Sequence, residues 1–131
     1  MARKIGYWVS TGLVAAILAL AAFSYLTSQP AAVQNFDGLR YPQYLRFILG
    51  VAKALAVLAL VSPRLPLVKE WAYAGLTFTW IGAFVSHSVA GDGKAILPVA
   101  LLALLAVSYA TRPASRRLPA AGELIPDPGT R

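Results

Sequence analysis

Four apolar stretches, separated by proline, glycine and charge, occupy most of this chain and decide what it can fold into. They cover residues 5–26, 44–62, 67–89 and 95–111. About 20 apolar residues in a helix cross the roughly 30 Å hydrocarbon core of a bilayer. The first stretch holds no charge. The second holds only Arg46 and Lys53 and stops at Pro63. The third follows Pro66, which suits a first helical position, and ends at the turn sequence Gly91-Asp92-Gly93. The fourth carries Pro98 in its first turn and closes at Arg112-Pro113. The expected fold is all-α, an integral membrane four-helix bundle over residues 1–112. A cleaved signal peptide ending near Ala19-Leu20-Ala21 is the alternative for the first stretch. Its length and the three stretches that follow favour a span.

Composition agrees. Hydrophobic residues make up 58% of the 131 and charged residues 13%, against about 45–50% and about 25% in soluble domains. That excludes a disordered chain and argues against a soluble one. The connection over residues 27–43 is broken by Pro30, Asp37-Gly38 and Tyr41-Pro42, with room for an interfacial helical turn over residues 31–36. Residues 113–131 hold four prolines and Arg116-Arg117 and read as a flexible tail.

The net charge of +7 would suggest nucleic acid in a soluble protein, but here it follows the excess of Lys and Arg on cytoplasmic loops, so no nucleic-acid partner is expected. Arg3, Lys4, Arg64, Lys69, Arg112, Arg116 and Arg117 flank the spans on one side. Arg40, Arg46 and Lys94 lie on the other. This predicts a multi-pass protein of a bacterial inner membrane with both termini cytoplasmic, its partners being the lipid bilayer and a membrane protein complex. The absence of cysteine excludes disulfides, thiolate nucleophiles and Cys-ligated metals, and a single histidine excludes bis-His haem ligation by one chain. No metal site is expected.

Lys53 lies about nine residues from either end of its stretch, roughly 13 Å at 1.5 Å per residue, too deep to snorkel. An ammonium there costs about 2.5–3.5 kcal/mol on insertion scales, so it should face the bundle interior and find a partner. The third stretch offers partners. Glu70, Tyr73, Thr77, Trp80, Phe84 and His87 follow 3,4,3,4,3 spacing and form one helical stripe. With Lys53 they form the candidate intramembrane cluster, Glu70 being the partner toward which Lys53 could tilt. For Trp80 and Phe84 plain core packing is the stronger reading. Gly75, Thr79, Gly82 and Ser86 form a second stripe, small enough for close helix approach in lipid. Gly50, one turn from Lys53, should leave room for a side chain or a ligand head group. Gly12, Ala15, Ala19 and Ala22 give the first helix a small face. Arg46 and Asp92, with Asp37, form a candidate outer polar cluster near His87.

These residues resemble the DoxX-like family of small four-helix membrane proteins. The resemblance rests on Tyr41-Pro42, Leu49-Gly50-x-x-Lys53, the run Pro63-Arg64-x-Pro66-x-x-Lys69-Glu70-Trp71-Ala72-Tyr73-Ala74-Gly75, Gly82-Ala83, Ser86-His87 and Gly91-Asp92, and spans about residues 5–112. Ala56 stands where the pattern suggests glycine. The resemblance implies the bundle. Some relatives look like subunits of membrane oxidoreductases, including an archaeal thiosulfate:quinone oxidoreductase, and others resemble assembly factors. No catalytic residue is carried over.

Three functions are consistent with this pattern. One is an accessory or ligand-binding subunit of a membrane oxidoreductase, with a quinone as candidate ligand. Tyr73, Trp80 and Phe84 would hold its ring, and Lys53 or His87 would bond its carbonyl oxygen. The second is a structural or assembly factor. The third is an enzyme acting on an apolar substrate through Glu70 and His87, against which their separation along the helix weighs. The expectation is that the chain has no catalytic activity on its own.

Overall fold

The computed structural model of the chain describes residues 1–120; residues 121–131, which hold most of the expected tail, lie outside the described residues. The described residues are all-α. They form five α-helices and no strand: α1 (Ala2–Leu26), α2 (Pro30–Gly38), α3 (Gln43–Val61), α4 (Pro66–Ala90) and α5 (Ile96–Ala110), followed by a single 3-10 turn (Ala114–Arg116). Local chemistry sets the boundaries. Pro30 and Pro66 open α2 and α4, where a missing amide and a fixed φ cost nothing. Gly91 ends α4 at φ 64°, and its amide donates to the His87 carbonyl at 3.0 Å. That left-handed cap suits a residue without Cβ.

The helix α2 is longer than the short turn expected over residues 31–36. It buries Ala32 and Phe36, and the Phe36 ring meets Tyr25 of α1 edge-to-face at 5.2 Å. Helix α1 lies between α3 and α5, and its contact with α3 is the most extensive among the described residues. Helix α4 packs chiefly on α5 and touches α3 only sparsely. The core joins Val14 and Leu18 of α1, Ala56 and Leu60 of α3, Tyr73, Leu76 and Trp80 of α4, and Leu101 and Leu105 of α5. By length and composition α1 and α3 suffice to cross a membrane, while α5 is apolar but shorter.

The two faces of α4 depart from their sequence reading in part. Tyr73 and Trp80 of the aromatic stripe enter the core, as the packing reading of Trp80 expects, but Phe84, read the same way, is exposed. The stripe of small residues does not meet a neighbour closely: a Cβ added at Gly75 or Gly82 would find nothing within 4 Å. Bulky Tyr73, Leu76 and Trp80 carry the contact instead. The close approach is at Gly50, where an added Cβ would lie 2.9 Å from Leu26 Cδ2 and 3.1 Å from Tyr25 Cβ. The space beside Gly50 is therefore filled by α1 side chains. The small face of α1 is divided in the same way: Ala15 and Ala22 are buried, while Gly12 and Ala19 are exposed.

Gly50→Leu should accordingly destabilise the fold by about 1–3 kcal/mol, the usual cost of overpacking. Gly82→Leu should be neutral or stabilising, because helix propensity rises by up to about 1 kcal/mol with no steric penalty. Thermal unfolding of both variants in detergent checks the contrast.

Candidate functional site

The predicted cluster separates into two neighbourhoods at opposite ends of α4. At the Glu70 end, polar groups from three helices bond to one another. Thr11 of α1 and Ser108 of α5 share a hydrogen bond of 2.6 Å, and Tyr73 Oη lies 2.7 Å from the same Ser108 hydroxyl. Glu70 forms an ion pair with Arg112 and accepts a bond from Tyr109 Oη at 3.0 Å. The Arg112 guanidinium also lies over the Tyr109 ring at 3.6 Å. Glu70 is thus engaged by Arg112, not by Lys53. Thr77 donates to the Tyr73 carbonyl of its own helix at 2.7 Å and takes no part in a cluster.

The predicted outer cluster is also two clusters. His87 Nδ1 lies 2.6 Å from Asp92 Oδ2, and the Lys94 amide donates to Asp92 Oδ1 at 2.9 Å. The bond to His87, and after it the Lys94 amide, hold the Asp92 carboxyl below the usual carboxylate range. With Nδ1–H donated to the carboxylate, neutral His87 keeps Nε2 as an acceptor. Arg46 sits elsewhere. It donates to the Tyr25 carbonyl, to Ser28 Oγ at 3.0 Å and to Gln43 Oε1 at 2.8 Å. Gln43 in turn donates to Asp37 Oδ1 at 2.7 Å.

A cavity of about 790 Å³ lies between α1, α2, α3, α4 and the start of α5, toward the His87 end. Its walls are mostly apolar: Leu18, Phe36, Leu45, Leu49, Phe78 and Leu101 among them. Lys53, Trp80 and His87 line it, so these members of the predicted cluster share one space. Glu70, Tyr73 and Thr77 do not line it, and neither does Phe84. The small stripe supplies Thr79, Gly82 and Ser86 to its wall, which is why that face has no helix against it. Tyr41 and Ser86, 2.7 Å apart, bond across its edge.

Lys53 is 7% exposed. Among the described residues it makes neither hydrogen bond nor ion pair, and its one polar contact is the Tyr25 ring, 5.4 Å away. Among the described residues every other buried cation is bonded, and so is half-buried Arg116. Lys69 Nζ donates to the carbonyls of Ser62 and Arg64. Arg116, in the 3-10 turn after α5, donates to the carbonyls of Leu60 and Ser62 at 3.0 and 3.2 Å and lies over the Trp8 ring at 4.6 Å. Sequence reasoning counted Lys69, Arg112 and Arg116 only as flanking charges. No motif distinguishes a cation that caps a neighbouring helix from one that faces headgroups. Thr11 and Ser108 were missed because single hydroxyls in apolar helices usually bond their own backbone.

The family model for the DoxX-like family matches residues 9–108. The chain belongs to the DoxX-like family. No curated protein and no solved structure matches it. The family, together with two apolar helices long enough to cross a bilayer, indicates a small membrane protein in a lipid environment. In this DoxX-like chain part of the set that carried the resemblance meets at the cavity: Tyr41, Leu49, Lys53, Gly82, Ala83, Ser86 and His87 line it, whereas the run from Pro63 to Gly75 does not.

Two outcomes follow. In double-mutant cycles in detergent, Glu70→Gln and Arg112→Met should couple by about 0.5–3 kcal/mol, whereas Glu70→Gln and Lys53→Met should add to within about 0.5 kcal/mol. Asp92 has its carboxyl held low in the fold, so its bonds contribute fully above the ordinary carboxylate value of about 3.9 and are lost as pH falls below it. The protection factor of the Lys94 amide, its exchange measured against the intrinsic rate at the same pH, should fall over that acid window and not between neutral pH and pH about 5.

Proposed function

We propose that this chain is a four-helix integral membrane protein, α1, α3, α4 and α5 being its spans, which binds a lipid-like molecule in the cavity beside Lys53. It acts as an accessory subunit of a membrane oxidoreductase, with no catalytic activity of its own. The observation that carries the reading is Lys53, whose side chain is buried while its unpaired ammonium opens onto the wall of an otherwise apolar cavity. Leaving a charge buried without a partner costs several kcal/mol. A ligand whose head group accepts from Lys53 removes that cost while its apolar body fills the rest.

A quinone meets these requirements in its neutral form. Lys53 would bond a carbonyl oxygen and Trp80 would flank the ring; neutral His87, its Nδ1–H given to Asp92, has no N–H left for a carbonyl, and electrons would come from the partner. Phe84 and Tyr73, expected to hold the ring, lie outside the cavity and have no such role. An intramembrane span for each long helix is supported by the exposed apolar surface. Leu20 of α1, Leu58 of α3, Phe78 and Val89 of α4 and Ile96 of α5 expose 64–84% of their area. Soluble monomers rarely expose apolar patches beyond a few hundred Å². The positive flanks continue to favour both termini on the cytoplasmic side. The enzyme reading loses its basis because Glu70 and His87, 17 residues apart on one helix, are about 25 Å apart along the axis and bonded into separate networks.

Protein purified from native membranes in mild detergent should carry a stoichiometric amphiphile, identified by native mass spectrometry. Gly82→Leu, which projects into the cavity without disturbing the fold, should release it. Retention of the same amphiphile by Gly82→Leu, or a protein partner with no small molecule, would contradict the reading.

A further inference from the structure

The charge inventory around the cavity narrows the head group that Lys53 can receive. The cavity wall contains Lys53, Lys94 and His87 and no carboxylate. Three carboxylates lie among the described residues, and each is already bonded. Asp37 accepts from Gln43, Glu70 is paired with Arg112 and bonded by Tyr109, and Asp92 is bonded by His87 and the Lys94 amide. The described chain therefore offers Lys53 no counter-charge. A helix C-terminus, which partners Arg46, Lys69 and Arg116, does not serve Lys53 either: the nearest, that of α1, gives its Tyr25 carbonyl to Arg46 and only the Tyr25 ring to Lys53.

We propose that the ligand of this cavity is an acidic amphiphile, its anionic head, a carboxylate or a phosphate, seated on Lys53 and its apolar chain lying against Trp80 and the small-residue face of α4. The proposal rests on the ligand-binding reading above and goes beyond it by naming the charge of the head. A neutral carbonyl can accept one bond from an ammonium but leaves its charge unbalanced. An anion supplies both the bond and the balance, and charge-assisted bonds of this kind are about twice as strong as neutral ones. Lys94, exposed on the turn before α5, adds a second cation that draws an acid toward the cavity. An acidic lipid of the bilayer and a free fatty acid share this chemistry.

Tryptophan fluorescence separates these cases. The chain has three tryptophans. Trp8 and Trp71 are exposed, whereas Trp80 is buried on the cavity wall. In Trp8→Phe/Trp71→Phe protein, placed in phosphatidylcholine nanodiscs, Trp80 is the sole reporter. Brominated oleic acid, brominated phosphatidic acid, brominated phosphatidylcholine and a short-chain quinone are then titrated separately. The expected result is saturable quenching by a brominated acid at low mole fraction, with brominated phosphatidylcholine far weaker. The carboxylate and phosphate arms show which source is preferred. Lys53→Met should weaken the acid by at least about tenfold, while Lys53→Arg, which keeps the charge, should retain most of the binding. Thermal unfolding establishes that both variants are folded, and if Lys53→Met is not, the comparison of acid with phosphatidylcholine in protein retaining Lys53 decides the matter. Saturable quenching by the quinone with the acids no better than phosphatidylcholine would overturn the acidic head and leave the ligand-binding reading standing. No saturable quenching by any probe would overturn both.

Discussion

Twelve basic residues share this chain with five acidic ones, so most cations must find something other than a carboxylate. The carbonyls that every helix leaves unsatisfied at its C-terminus meet that need. Helix α1 ends with the Tyr25 carbonyl on Arg46 of α3. Helix α3 ends with Leu60 and Ser62 on Arg116, and Ser62 again on Lys69. Helix α5 ends with Ala110 accepting from Arg3 at 3.3 Å. None of these three helices has a basic residue in its own last turn. Each is capped by a cation from another segment, which complements the negative end of its dipole and fastens one helix to the next. The same shortage of acids leaves Lys53 without a partner.

The second constraint is the division of labour on α4. Tyr73, Leu76 and Trp80 hold that helix in the core by bulk. The opposite stripe meets no helix closely: Gly75 and Gly82 have open space beside them, and Ser86 bonds Tyr41 at the cavity edge. Closing the gap would need large residues on that stripe. A cavity results at the depth where Lys53 emerges from α3, bounded on its remaining sides by α1, α2 and the start of α5. Helix α2 completes the wall through Ala32 and Phe36, the latter held by Tyr25. The cavity thus lies against the small-residue stripe of α4, and Lys53 on its wall is the buried cation that no cap engages.

The helices were legible because proline and glycine mark their ends: Pro66 opens α4 and Gly91 closes it, as their conformational limits require. The depth of Lys53 was legible from counting residues. Its partner was not, because spacing along one helix says nothing of which neighbour faces it; Glu70 turned out to lie with Arg112, a residue read only as a flanking charge. The role of the small α4 stripe was misjudged for a related reason. Small residues permit a close helix contact but do not compel one, and only the neighbouring aromatics decide. Arg46 and Asp92 shared an end of the molecule and yet joined different networks, since Gln43 and the Tyr25 carbonyl lie nearer to Arg46 than any acid of the α4–α5 turn. Lys53, Trp80 and His87 did come to one cavity, while Glu70, Tyr73 and Thr77 went to other bonds.

The central claim is that the Lys53 ammonium is completed by a molecule the chain does not encode. An experimental structure of the protein, taken from native membranes into nanodiscs without added ligand, tests it most directly. The account predicts density in the cavity with an acceptor atom about 3 Å from Lys53 Nζ and an apolar portion beside Trp80. A Lys53 bonded to a carboxylate of its own chain, or a cavity closed by α4 resting on α3, would contradict it.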